Sequence, residues 1–248
     1  MAPLVYLRTE DDMPARPEDS FRRLSDFSAD LAHELRTPIS NLMAETQVAL
    51  SKARSADQYR EVLYSNLEEY ERLAHMIADM LFLVKADNRL IVPNSEMVDL
   101  AAEARKLFGY YETFAEEQGV SLALTGAGVV QGDRLMIRRA LSNLLSNAIG
   151  HTPRNGAVKV GIEQRKSGET RLVVENPGED IDPQHLPRLF DRFYRVDPSR
   201  QKASSDGAGL GLAITKSIVD AHEGTIEACS SNGSTCFTIT FPAAGAGP

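Results

Sequence analysis

The sequence predicts an α + α/β protein, a long two-helix hairpin followed by an α/β sandwich. Three observations predict it. Apolar residues recur at spacings of three and four from Ser20 to Asp87, with one polar break, as two amphipathic helices require. From residue 99 onward, helical periodicity alternates with short β-branched runs, the pattern of a mixed sheet covered by helices. Near the end, Asn232-Gly233 stands between two alternating segments and signals a tight β-hairpin. Composition fits a globular chain: of 248 residues, 42% are hydrophobic and 25% charged. The net charge of −8 argues against nucleic-acid binding. No apolar run is long enough to span a membrane, and the first residues lack the basic start of a signal peptide.

Taken in order, residues 1–19 carry Pro3, Pro14 and Pro17 among acidic residues and read as an irregular lead-in. The first helix is expected from Ser20 to about Lys52. At 100° per residue, Leu24, Phe27, Leu35 and Leu42 fall within about 40° of Leu31 and form one apolar stripe. His33 falls at about 200° and Thr37 at about 240°, nearly opposite that stripe. A histidine kept for packing would sit in the stripe; this one faces solvent. Pro38 adds a kink, since it deletes a helical hydrogen bond.

After the polar break Ala53–Asp57, the second helix carries Tyr59, Leu63, Leu67, Tyr70, Leu73, Ile77, Met80 and Val84, and runs to about Asp87. One hairpin cannot cover both of its apolar seams. Two copies can, as a four-helix bundle, so a homodimer is expected with His33 on the outside. These helices fill 20–87, and Asn88 to Val98, with Pro93, forms a linker. Residues 99–242 then form one domain and 243–248 a tail. Within that domain, helices are expected at 100–118, 133–149 and 210–222, and strands at 121–124, 129–132, 157–164 and 171–175. In the closing hairpin paired residues place Ile226 opposite Ile239, Ala228 opposite Phe237, and Cys229 opposite Cys236. The first two pairs face the core and the cysteines the other side. Reduced thiols are expected, and two sulfurs without a nearby His or third Cys make a poor metal site.

The six residues His33-Glu34-Leu35-Arg36-Thr37-Pro38 resemble, without a mismatch, the phosphoacceptor box of sensor histidine kinases. Four later blocks resemble, in order, the nucleotide-binding boxes of the same family and its ATPase relatives. The first, Leu141 to Ala148, puts Asn143 and Asn147 on one helical face between leucines. The resemblance implies that Asn147 is a Mg²⁺ ligand and Asn143 a phosphate-side contact; an amide oxygen suits a hard cation without adding charge. The second is Asn176-Pro177-Gly178-Glu179-Asp180-Ile181. Asn176 stands where the family has an adenine-binding Asp, and Asp180 where it has a second Gly. An amide oxygen accepts more weakly than a carboxylate, and the loop loses a glycine, so weaker ATP binding is implied.

The third block, Leu186 to Arg200, implies that Phe190 and Phe193 pack a mobile lid on the core, and that Arg195 and Arg200 reach the β- and γ-phosphates. The fourth, Gly207-Ala208-Gly209-Leu210-Gly211-Leu212, offers backbone amides at a helix start. Gly150 stands where many relatives carry a cation. His75, His151, His185 and His222 match no acceptor position and read as surface or helix-end residues.

The resemblance covers about residues 20–242 and includes the heavy-metal-responsive (copper/silver) subgroup. It implies a homodimeric, ATP- and Mg²⁺-dependent kinase that phosphorylates His33 and passes the phosphoryl group to an aspartate of a response regulator. Glu34 would assist the His33 ring and Thr37 would orient a water for dephosphorylating the partner. The chain would be the cytoplasmic part of an inner-membrane sensor. Two alternatives remain open on the sequence: a phosphatase or scaffold with weak ATP use, and a non-signalling ATPase or binding module of the same superfamily.

Overall fold

The computed structural model describes residues 17–196 and 209–243, with side chains from residue 31 onward except that of His33. The chain divides into two compact units, Met1–Leu73 and Ala74–Pro248. In the first, α1 (Pro17–Leu50) and the opening half of α2 (Ala56–Asp87) form the expected hairpin. Helix α1 begins three residues before the expected start and continues through Pro38, whose ring is buried.

The start of α2 is set by a capping box. The Ser55 N–H donates to Gln58 Oε1 at 3.1 Å and the Gln58 N–H to Ser55 Oγ at 3.2 Å, so two otherwise orphaned donors satisfy each other's residues. Two polar contacts tie the helices together: Ser65 Oγ donates to Glu45 Oε2, and Asn66 Nδ2 to Thr46 Oγ1, both at 3.2 Å.

Most of the α2 apolar series is left uncovered by α1, as expected of a hairpin that cannot bury both of its seams. Leu63, Leu67 and Tyr70 are 67%, 52% and 58% exposed. The inward positions are Tyr59, Val62, Asn66, Glu69 and Leu73. An inner seam holding an asparagine and a glutamate is too polar to register as a stripe. Periodicity therefore found mainly the outer, uncovered face, with Tyr59 and Leu73 of the series turned inward.

In the second unit, β2 (Ser121–Ala127), β4 (Ala157–Gln164), β5 (Thr170–Pro177), β7 (Ser234–Phe241) and β6 (Thr225–Ser231) form one sheet in that spatial order. Strands β2 and β4 run parallel and the other neighbours antiparallel. Helices α3 (Leu100–Gln118), α4 (Arg134–His151) and α5 (Gly211–Ala221) cover one face. Strict alternation of buried and half-buried residues along β5 and β7 marks that face, as period-two side chains require. The core between the layers holds Leu141, Leu144, Leu145, Val158, Val160, Val174 and Ile239.

A strand absent from the sequence reading, β1 (Glu96–Asp99), pairs antiparallel with β3 (Val129–Gly132). Four residues lack the length to show alternation, so the stretch read as linker to Val98 instead ends inside this second sheet.

Local chemistry fixes the helix ends. Asp99 caps α3 by accepting from the Ala102 N–H at 3.0 Å, and Gly119, at φ 67°, closes it in the left-handed region. Asp133 caps α4 by accepting from the Leu135 and Met136 N–H groups through Oδ1, and from the Asn94 N–H through Oδ2. Its own N–H donates to His222 Nε2 at 2.9 Å. His222 is therefore a helix-end residue, as expected, but a buried one at 8% exposure.

Candidate functional site

Helix α4 is the spine of the site. Its leucines 141, 144 and 145 are fully buried, which turns Asn143 and Asn147 to the half-buried flank. Asn143 Nδ2 donates to the Gly211 carbonyl at 2.9 Å and to Thr215 Oγ1 at 3.4 Å. The first and fourth sequence blocks thus meet, with the start of α5 fastened beside Asn143. Thr215, fully buried and missed by the sequence reading, also donates to the Gly211 carbonyl at 2.8 Å. Only its four-residue spacing from Gly211 could have signalled that role.

At the other end of α4, a Cβ on Gly178 would stand 3.3 Å from the His151 carbonyl oxygen. That close approach lays the loop after β5 against the C-terminal turn of the helix. The α4 flank from Asn143 to His151 thus connects the α5 N-terminus to this loop over roughly 12 Å, at 1.5 Å per residue. That span suits a nucleotide laid along the helix, phosphates toward the partially positive α5 end.

Asn176, 4% exposed, is the next-to-last residue of β5. Its Nδ2 donates to the Pro177 carbonyl at 3.1 Å, which leaves Oδ1 as the side chain's acceptor. The loop beyond it is pinned to the β6–β7 hairpin. The Gly178 N–H donates to the Gly233 carbonyl at 2.9 Å, the Ile181 N–H to Ser230 Oγ at 2.9 Å, and the Gly233 N–H to Asp180 Oδ1 at 2.8 Å. Asp180 therefore acts through its carboxylate as a clamp on the hairpin tip, a role that comparison with a missing glycine could not reveal.

Gly209 and Phe193 meet where the chain enters and leaves the segment 197–208. The Phe193 N–H donates to the Gly209 carbonyl at 3.0 Å, and Gly209 adopts φ 70°. A Cβ there would stand 2.9 Å from the Phe193 backbone, so both conformation and space demand glycine. Leu210 is buried and caps α5 at its start. Phe190 packs edge-to-face on the buried Phe237 with ring centroids 6.3 Å apart. Arg195 is half-buried. His185 joins Tyr194 through Nδ1 and the phenol oxygen, and the Arg188 guanidinium lies 4.2 Å from the Tyr194 ring centroid. Arg200 and Gly207 lie outside the described residues.

On α1, His33 is helical in backbone and its side chain lies outside the described residues. Glu34 is half-buried, while Arg36 and Thr37 are exposed. Of the charged groups behind the site, Glu103 is fully buried and takes hydrogen bonds from Lys106 at 2.9 Å, Arg134 at 3.3 Å and Arg138 at 2.6 Å. Desolvation works to raise its pKa, but the bonds and charges of Arg138 and Lys106 outweigh it and hold the carboxyl below the ordinary value. Asp133 is lowered in the same way, its desolvation outweighed by the Met136, Asn94 and Leu135 N–H groups.

Among known families, the His Kinase A (phospho-acceptor) domain matches residues 23–89, and the histidine kinase-, DNA gyrase B- and HSP90-like ATPase matches residues 132–245. The chain belongs to the sensor histidine kinases. Sensor histidine kinase CusS of Escherichia coli K12 is 53% identical over 232 residues, which cover 93% of this chain and 48% of that protein. The chain thus spans about half the length of the curated relatives it matches. Among solved structures, histidine kinase AdeS of Acinetobacter baumannii superposes with a TM-score of 0.71 at 28% identity, covering 85% of this chain and 97% of that one. Histidine kinase ThkA, solved in complex with response regulator protein TrrA, shares the fold, with a TM-score of 0.73 at 21% identity over 92% of this chain and 64% of that one. No described helix of this kinase is long and apolar enough to cross a membrane.

Proposed function

We propose that this chain binds ATP in its C-terminal domain, transfers the γ-phosphoryl group to His33, and passes it on to an aspartate of a response regulator. The observation that carries the reading is the hydrogen bond from Asn143 to the Gly211 carbonyl, because it assembles two separately recognised nucleotide blocks on one flank of α4. The remaining residues divide the work. Asn176 accepts the adenine amino proton through Oδ1 while Gly178 lets the loop lie against α4. The Gly209–Gly211 turn and the α5 N-terminus receive the phosphates with Arg195, and Arg200 and Gly207 complete that grip.

Asn143 and Asn147 offer neutral amide oxygens on a half-buried flank, a donor set that fits Mg²⁺ beside a triphosphate, with Asn147 as the ligand. When bound, the ion neutralises charge on the phosphates. A nitrogen of the His33 ring attacks in line; its bond to phosphorus forms as the bond from phosphorus to the ADP oxygen breaks. Glu34 holds the other ring nitrogen and takes the proton released there. Thr37, exposed on the same helix, orients the water that hydrolyses the aspartyl phosphate of the response regulator, releasing inorganic phosphate.

The uncovered apolar stripe of the hairpin supports a homodimer built as a four-helix bundle. We assign the parent protein to the inner membrane, with this portion in the cytoplasm and a heavy-metal ion as input. Incubation with γ-labelled ATP and Mg²⁺ tests the central claim. Acid-labile, alkali-stable label on the native chain, lost in His33→Gln and in Asn147→Ala, is the expected result. Label that survives in His33→Gln overturns it.

A further inference from the structure

The outer face of the β6–β7 hairpin carries a chemical group that phosphoryl transfer does not use. Cys229 and Cys236 are direct cross-strand partners and are the only two cysteines in the chain. Both are reduced, and both project from the face of the sheet away from the helices, Cys229 exposed and Cys236 half-exposed. As direct cross-strand partners on one face, their Cβ atoms stand about 5 Å apart. Cys236 Sγ also lies 3.6 Å from Thr238 Oγ1. Among the described residues no third His, Cys, Asp or Glu completes a metal-binding cluster.

That donor set is selective. The expectation of a poor metal site holds for zinc, which takes four ligands in a tetrahedron and finds only half of them here. Hard cations require oxygen. A soft monovalent d¹⁰ ion is satisfied by two thiolates, and soft sulfur donors favour it over harder metals. We propose that Cys229 and Cys236 form a two-thiolate site for a soft monovalent cation, Cu(I) or Ag(I), on the outer face of the C-terminal domain. On binding, one cation replaces two thiol protons, the sulfurs keep their electron pairs as metal bonds, and no electron is transferred.

The site is wired to the loop after Asn176, a coupling that rests on the nucleotide reading above. Each cysteine adjoins a residue in that connection. Ser230, next to Cys229, accepts from the Ile181 N–H at 2.9 Å and contacts Thr235, next to Cys236, at 3.0 Å. Two residues further, Gly233 exchanges hydrogen bonds with Gly178 and Asp180. The turn is rigid, with Asn232 at φ 56° and Gly233 at φ 75° as a type I′ turn requires. A metal bridge across the strands braces the platform that holds the loop, and so tightens nucleotide binding by pre-organising it.

The test is titration of the reduced chain with Ag(I) in chloride-free buffer, and with Cu(I) against a chromophoric chelator without oxygen. The expected result is one tight equivalent per chain, loss of both thiols to a thiol reagent, and at least about a hundredfold weaker binding in Cys229→Ser and in Cys236→Ser. An unchanged thermal transition in the serine variants shows that they fold. One equivalent of Ag(I) should tighten binding of a non-hydrolysable ATP analogue about threefold or more in the native chain and not in the double serine variant. Tight stoichiometric binding that persists in the double variant overturns the site. So does loss of both thiols in air without metal and their recovery with a reductant, which would make the pair a disulfide. Equal nucleotide affinity with and without Ag(I) overturns the coupling alone. Metal binding is read without turnover, so an inactive kinase would leave this test intact.

Discussion

The helical hairpin and the C-terminal domain bury their apolar residues by opposite means. The domain closes over itself: sheet, α3, α4 and α5 enclose a core in which Leu141, Leu144, Leu145, Val174 and Ile239 are fully buried. Among its described residues the hairpin unit buries little apolar surface beyond Pro38, Leu42 and Ala49 and leaves Ile39, Met43, Leu63, Leu67 and Tyr70 in the open. Two helices side by side have only one shared seam, whereas a sheet with three helices on it has a whole face. The first region therefore leaves an apolar face for a partner to cover, and the second encloses its own core.

The sharpest way to break that contrast is to hollow the domain. Leu144→Ala should cost about 3 to 4 kcal/mol in urea unfolding of the C-terminal domain, with oligomeric state unchanged, because a fully buried leucine in a closed core leaves a cavity. The hairpin should respond in the reverse sense. Leu67→Glu should raise the dimer dissociation constant about a hundredfold, or about 2.7 kcal/mol, by sedimentation equilibrium, while the domain's melting stays put. A native chain that sediments as a monomer would remove the contrast altogether.

A smaller loss comes from the buried charge. Glu103→Gln should destabilise the domain by about 2 kcal/mol at neutral pH, below the range for a fully buried pair because Arg134, Arg138 and Lys106 can each regain water. The Glu103 pKa is lowered in the fold, so its ion pairs stabilise above the ordinary value of 4.5 and are lost as the pH falls through the lowered one. Thermal melts should converge between native and Glu103→Gln chains in acid. Asp133 adds a loss of the same sign. The smallest effect belongs to the hairpin turn, where Ser55→Ala removes half of the capping box and should cost about 1 kcal/mol of helix stability, read by circular dichroism on heating.

Particular residues show what was legible in the chain. The hairpin register, with Cys229 opposite Cys236 and Ile226 opposite Ile239, follows from Asn232-Gly233 alone, since a two-residue turn fixes every pair that follows it. The long helices and the order of the nucleotide blocks were equally plain, because periodicity and local motifs are properties of neighbouring residues. Strand β1 was not, being too short to alternate. Nor was the polar inner seam of α2 at Asn66 and Glu69, because periodicity registers apolar faces alone.

What the sequence determined by itself is therefore local: where helices start and stop, which residues share a face, which loop must turn, and which motifs stand in which order. What only the tertiary structure decided is who meets whom across the chain. Asn143 finds Gly211, Asp133 finds His222, Asp180 finds the Gly233 amide, and Glu103 collects three cations. Apart from the local pair of Glu103 with Lys106 on α3, each of these joins residues that only the packing of the helices and the sheet brings together. The physical reason is range: backbone conformation and amphipathic period act over a few residues. Buried polar groups must instead be satisfied by whatever the closed fold places beside them.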